Sequence, residues 1–201
     1  MCIRDRVNFL GKANSNLADI GGGRGDFARA VSEHFSSVDV FDHDAHGCDG
    51  NIKFRTCDLN EEWKIPESSY DIVVSLEVIE HLENPRHFFR QIAQILKEGG
   101  IAVVTTPNQV SLSSKICLLA RDQFIQFQEN CYPAHITSLV PADLIHIANE
   151  ANFELLEIVY SNDGRIPLTR RRWQQLSRFF SGKRFSDNVA IVVKKPQTKP
   201  A

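Results

Sequence analysis

The sequence lacks the marks of several protein classes. No apolar run approaches the roughly 20 residues that a membrane span needs, and no repeat recurs along its 201 residues. The five cysteines (Cys2, Cys48, Cys57, Cys117 and Cys131) include no Cys-x-x-Cys pair and are odd in number. Neither a disulfide framework nor a zinc knuckle is expected, no metal is called for, and a reducing cytoplasm is the default location. An excess of one charge is missing too: 23 Lys and Arg against 25 Asp and Glu leave a net charge of −2. That gives no global argument for nucleic acid or an anionic surface. Hydrophobic residues make up 42% and charged residues 24%, the proportions of an ordinary globule rather than a disordered chain or a coiled coil.

The two ends stand apart from the rest. Met1 to Arg6 resembles the translated end of a sequencing adapter and is set aside from fold reasoning as an expected artefact, the native start lying upstream. The alternative is a short polar tail. The Lys-Pro-rich end reads as frayed, with 196–201 expected to be disordered. A single domain over 7–195 is predicted between them.

Within that stretch, β-rich runs alternate with helical patterns. Leu17–Ile20, Val38–Phe41, Phe54–Thr56, Ile72–Ser75 and Ile101–Val104 read as strands, the last two almost continuously apolar, which suits parallel strands covered on both faces. Phe27, Ala30, Val31 and Phe35 recur at helical spacing, as do Phe88, Ile92, Ile95 and Leu96. The second of these helices has Asn84 to cap it, Pro85 at its first position and Gly99-Gly100 as the predicted stop. A further helix over 141–149 turns Leu144, Ile145 and Ala148 inward; strands over 153–159 and 189–193 follow. The alternation implies a doubly wound, mostly parallel α/β sheet with right-handed crossovers.

Such sheets bind ligands beyond the carboxyl ends of their strands, so the residues just after each strand matter most. The first strand is followed by Gly21-Gly22-Gly23-Arg24-Gly25-Asp26. Glycines 21, 23 and 25 permit positive φ and a close approach to the backbone. A dinucleotide fingerprint would need Gly or Ala where Asp26 stands, and an aspartate there repels a pyrophosphate at the helix start. Asp42 ends the second strand, 17 residues beyond Gly25, where a carboxylate can accept from ribose hydroxyls; Asp44 is its competitor. Asp58, after the third strand, can accept from the exocyclic amine of a purine. An adenosine-containing ligand other than a dinucleotide fits this set.

Asp19-x-Gly-x-Gly-x-Gly, Asp42, Cys57-Asp58-Leu59, Tyr70-Asp71-Ile72-Val73-Val74 and Glu77-Val78-Ile79-Glu80-His81-Leu82 occur in this order. The ordered set resembles the motifs of class I S-adenosylmethionine-dependent methyltransferases, nearest to the small-molecule group that includes ubiquinone-biosynthesis O-methyltransferases. The resemblance runs from about Leu17 to Val193. It implies a seven-stranded Rossmann-like sheet in the order 3-2-1-4-5-7-6 with an antiparallel last strand, and S-adenosylmethionine as cofactor. It implies that Asp19 orients the methionine amino group, that Gly21, Gly23 and Gly25 make room for the ligand, and that Asp42 holds the ribose. Asp58 and Leu59 would then frame the adenine, with Leu76 and Glu77 lining the methionine region. Asp44 to Ile52 becomes a surface connection, and 108–139 becomes the substrate cover.

A hydroxyl acceptor also needs a base, and His81 and His135 are the candidates. His34, His43, His46, His87 and His146 read as surface or packing residues. Phe124, Phe127 and Tyr132 either line an acceptor pocket or pack the cover onto the sheet. Over 165–184, seven basic residues occur without an acid. On a helix, Trp173, Leu176 and Phe180 would share one face, with Arg171 and Arg178 opposite. An ordinary packed helix is the plainer reading, and peripheral contact with an anionic acceptor or lipid surface the sharper one. Val140 stands where a Ser or Thr cap is usual before Pro141, and Asn152 stands where Gly is usual. The expected partner is a small-molecule or lipid-linked acceptor rather than nucleic acid, and no feature specifies an oligomer. A non-catalytic cofactor-binding domain and an NAD-dependent oxidoreductase are the competing readings.

Overall fold

A computed structural model describes residues 15–44, 47–167, 169–177 and 179–197. Met1 to Arg6, His46, Arg178 and 198–201 lie outside the described residues. The chain runs β1 (Asn16–Ile20), α1 (Asp26–Val31), β2 (Ser37–Asp42), β3 (Gly47–Asp49), β4 (Ile52–Thr56), β5 (Tyr70–Ser75), α2 (Pro85–Ile95) and β6 (Leu96–Pro107). It continues through α3 (Leu112–Arg121), α4 (Pro141–Glu150), β7 (Glu154–Tyr160), α5 (Trp173–Leu176) and β8 (Asn188–Lys194).

All the strands join one sheet in the order β3-β4-β2-β1-β5-β6-β8-β7. Pairing is parallel from β4 across to β6, while β8 runs antiparallel to both β6 and β7. With β3 set aside, this is the expected doubly wound, mostly parallel sheet with its antiparallel last strand. The central strands bury both faces, as their continuous apolar runs require: Leu17, Ala18, Val73 and Val74 are wholly inaccessible. One face packs on α2 and α4 through Phe88, Phe89, Ile92 and Leu144; the other packs on α1 through Ala28 and Val31.

Local chemistry explains the helix starts. The Asn84 side chain accepts the His87 N–H at 2.9 Å and Pro85 opens α2. Val140 gives α4 no side-chain cap, but the Asp143 carboxylate reaches back to the Val140 N–H at 3.0 Å. Asn152 takes the left-handed conformation, φ 61°, in the place usual for glycine.

Three local expectations need correction. The connection over 44–52 contains an eighth strand: Gly47 (φ 105°) and Gly50 (φ 63°) let a short hairpin fold back along β4 and cover that edge. The helix α2 ends at Ile95, before the glycines, because fully buried Leu96 pairs with Tyr70 and starts β6. Gly99 does adopt positive φ (76°), but inside the strand, where the register shifts between Tyr70 and Ile72. On α1, Ala30 is exposed and Ala28 takes the inward position.

The segment 165–184 is mostly irregular. Its helix spans only Trp173–Leu176 and ends at extended Ser177, so the shared face does not form. The rings of Trp173, Phe180 and Phe185 instead cluster with centroids 5.0 to 5.5 Å apart, and Leu176 is exposed. The cluster folds against Gly164, where a Cβ would lie 2.3 Å from the Phe185 carbonyl oxygen. Arg165 and Arg172 pair with Asp187 and Asp163, acids just outside the basic stretch. Among the described residues no helix is long and apolar enough to cross a membrane.

Candidate active site

The carboxyl ends of β1, β2, β4 and β5 converge on one cleft of about 480 Å³, whose wall includes Gly21, Asp42, Asp58, Leu59, Glu77 and His81. A second hollow of about 900 Å³ opens on the far side of Asp42, bounded by Gly23, Asp26, Arg29, Asp44 and the β3 hairpin. Asp42 is common to both.

The glycine loop leaves β1 with Gly21 at φ 75°, and a Cβ there would meet Val78 Cγ2 at 2.3 Å. Gly25 is closed in a different way, since a Cβ would strike the Phe54 ring at 2.7 Å. Gly23 faces open space. Thus Gly21 and Gly25 are required by the protein's own packing, whereas a Cβ at Gly23 would meet no atom. Gly22, which the sequence pattern passes over as a variable position, is constrained as well. A Cβ there would sit 2.4 Å from Asp19 Oδ2 and 2.8 Å from Val40 Cγ1. The run Gly21-Gly22-Gly23 was its only visible signal.

Asp19, next to last in β1, is almost wholly buried, and its Oδ2 has no hydrogen-bond partner among the described residues. Burial, reinforced by the nearby charge of Asp42, pushes its carboxyl up to about 7. An isolated buried carboxylate is costly unless a cation or donors reach it. Half-buried Asp42 accepts the Gly23 N–H through Oδ2 at 2.9 Å, which ties the loop to the end of β2 and leaves one oxygen for a ligand. Asp44 is exposed and bonded to the His43 ring at 3.0 Å. Asp58 is exposed and spends Oδ1 on the Asn60 N–H.

Glu77 follows β5 with a left-handed backbone, φ 56°. Thr105 on β6 donates to its Oε1 at 2.7 Å, and the Asn188 amide on β8 donates to its Oε2. Burial, then the charge of Glu80, raise its carboxyl to about 7. Neither partner was legible in the sequence: Asn188 lies 111 positions away. Leu76 turns to the opposite face and packs against the cluster beneath α1, outside the cleft wall.

His81 stands exposed at the cleft mouth, in a single helical turn over Ile79–His81, and its Nδ1 lies 2.8 Å from the Ala134 carbonyl. His135 belongs to the predicted cover segment. Its Nδ1 lies 2.7 Å from the Gln126 carbonyl, and its ring meets that of His81 at 4.7 Å, nearly perpendicular. The two candidate bases are therefore neighbours. The N–H groups of Ile136 and Thr137 both reach the Glu80 carbonyl, and the Thr137 hydroxyl reaches that of Leu82, fastening the cover to the helical turn. Phe127 packs on His135, while Tyr132 is exposed.

A glycine loop after β1, with acids after β2 and β4 at the carboxyl edge of a doubly wound sheet, is the arrangement of a ligand-binding α/β domain. Residues 2–158 match the family described as "Methyltransferase domain". A ubiquinone biosynthesis O-methyltransferase of Rickettsia bellii is 25% identical over 114 residues, covering 57% of this chain and 48% of that protein. The mitochondrial enzyme of the same description from Rattus norvegicus is 31% identical over 93 residues, 46% of this chain and 25% of that protein. The chain thus spans about half the length, or less, of these relatives. An S-adenosylmethionine-dependent methyltransferase structure from Mesorhizobium loti superposes with a TM-score of 0.67 at 17% identity, covering 94% of each chain. The chain belongs to the methyltransferase family. The residues present fit S-adenosylmethionine: Asp19 Oδ2, buried and without a partner among the described residues, is an acceptor for a methionine amino group.

Proposed function

We propose that this domain transfers a methyl group from S-adenosylmethionine to an oxygen of a small-molecule or lipid-linked acceptor. The buried Asp19 carboxylate beside the glycine loop, its Oδ2 without a partner among the described residues, carries the reading. When bound, the cofactor supplies a methyl carbon activated by a positively charged sulfur. Asp19 would hold the amino group, Gly23 and its neighbours would admit the chain, and Asp42 would accept from the ribose. Asp58 and Leu59 would frame the adenine, and Glu77, fixed from two strands, would border the methionine portion.

The leaving thioether needs no proton, so the protein acts chiefly by alignment, which supplies about 7–11 kcal/mol in well-oriented reactions. An oxygen acceptor must still shed its proton, and a role for His81 or His135 as the base is supported by His81 lining the cleft and by the His135 ring packing edge-on against it. The names of the relatives support transfer to oxygen. Exposed Leu176 and Phe179 beside exposed Arg170 and Arg171 favour an acceptor held at an anionic lipid surface. Co-sedimentation with anionic but not neutral vesicles, weakened by salt, is expected; indifference to both removes that part. Calorimetry with S-adenosylmethionine, run alongside product formation on a panel of hydroxylated acceptors, tests the whole. Binding without any product would make the domain a cofactor-binding module. Preference for NAD would overturn the reading altogether.

A further inference from the structure

We infer that Arg29 is a positioning residue for the cofactor, and that the β3 hairpin acts on cofactor binding through it. Four of the five residues over 21–25 are glycine, and glycine loses more conformational freedom on ordering than any other residue. A loop of this kind presents a fixed backbone to a ligand only where its neighbours hold it. On the strand side it is held at Gly21, whose N–H reaches the Phe41 carbonyl at 2.7 Å, and at Gly23, whose N–H is bonded to Asp42. On the helix side it meets Arg29.

The Arg29 guanidinium joins the loop, α1, β3 and β4. Its Nη1 donates to the Arg24 carbonyl within the loop at 2.6 Å, and its Nε donates to Asp49 Oδ2 in β3 at 2.8 Å. Its central carbon lies 5.6 Å from the centroid of the Phe54 ring on β4, the ring that also closes on Gly25. Asp26 stands 3.8 Å from Nη1, beyond hydrogen-bond reach. A planar fork serves two acceptors in fixed directions at once, whereas an ammonium offers a single point of charge.

The same contacts give β3 a use. Its three residues are exposed and belong to neither apolar cluster, so burial does not account for the hairpin. Asp49 is the residue through which it grips α1. That helix has only six residues and no side-chain cap at Gly25, so little of its own stiffens the exit of the loop. The Arg29 and Asp49 side chains are 47% and 56% exposed, and exposed pairs add little to global stability. The effect is local: the fork fixes where the Arg24 carbonyl stands, one residue from the Gly23 amide that braces Asp42. The role rests on the reading of the cleft as an S-adenosylmethionine site.

Two measurements test it, one of them without cofactor. In hydrogen–deuterium exchange of the empty protein, a peptide spanning 21–29 should exchange faster in Arg29→Ala and in Asp49→Ala, with β5 unchanged. In calorimetry, Arg29→Ala should weaken S-adenosylmethionine binding by about five- to twentyfold at unchanged stoichiometry. The direction is diagnostic, because the cofactor carries a net positive charge and the loss of a nearby cation would by charge alone tighten binding. Asp49→Ala should cost about two- to fivefold, and the double variant no more than Arg29→Ala alone, since Asp49 acts through Arg29. Arg29→Lys keeps the charge and should recover at most part of the loss. Losses that multiply in the double variant, full recovery with lysine, or a fall in stoichiometry at unchanged affinity overturns the inference. Faster loop exchange in a chain whose wild type binds no cofactor sinks only the cofactor reading of the cleft. Wild-type affinity in Arg29→Ala sinks only the positioning role.

Discussion

Asp42 and Asp44 lie two residues apart, yet their surroundings assign them different work. Asp42 braces the glycine loop and faces both hollows; Asp44 is solvated. A charge-assisted hydrogen bond contributes about 1.5–3 kcal/mol. Asp42→Ala should therefore weaken S-adenosylmethionine binding by at least about tenfold in calorimetry, and Asp44→Ala by less than about twofold. Equal losses would misplace the ribose contact. Asp19 adds a pH signature. Its folded carboxyl titrates near 7, well above its ordinary value, so in the empty protein it holds a proton that the unfolded chain has released. Stability from this group accordingly falls as pH rises from about 4 to about 7 and is level above that. A cationic amino group binds the ionised form, so cofactor affinity should rise between about pH 5.5 and 7.5. Asp19→Asn should flatten that rise and make the empty protein more stable at pH 8 in thermal melts. An unchanged affinity slope in this variant would separate Asp19 from the ligand. Gly22→Ala presses a methyl onto the same carboxylate and should lower both the melting temperature and the affinity.

At the scale of elements, α4 offers a clean gain. Val140 has the extended backbone of a cap, φ −98° and ψ 162°, but no oxygen for the free amides. Val140→Thr keeps the shape and adds the acceptor, so stability in urea unfolding should rise by about 0.5–1 kcal/mol. No gain would mean that the return bond from Asp143 already suffices.

Elements also show where sequence reading succeeds. The apolar runs of β5 and β6, the Asn84-Pro85 start of α2 and the left-handed Asn152 were legible because their causes lie within a few residues. The end of α2 was not, because Leu96 leaves the helix to pair with Tyr70, a neighbour supplied by the sheet. The hairpin strand β3 is three exposed residues without an apolar pattern. In the basic segment, the spacing of Trp173 and Phe180 suited a helix, but their rings meet across a loop built on Gly164. Site acids at strand ends were readable from chain order. Their partners Thr105, Thr106 and Asn188 were not, since only the fold brings them near.

Across the whole molecule, a ligand held by the ends of several strands should stiffen the sheet as a unit. At a concentration 100 times its dissociation constant, S-adenosylmethionine adds about 2.7 kcal/mol. For a chain of this size that is a melting rise of roughly 5–10 °C, which differential scanning calorimetry would register. NAD at equal concentration should give almost none, and a larger shift with NAD would reverse the assignment of the cleft.

The strand β8 lies between β6 and β7, although it follows both in the chain. While the polypeptide is being made, β7 emerges with no edge to join until its later neighbour slots in beside β6. The same late arrival brings Asn188 to Glu77. Glu77 therefore gains its second partner only once β8 has been made, so a nascent chain halted in the 165–184 stretch would display the glycine loop yet leave that carboxylate held from β6 alone.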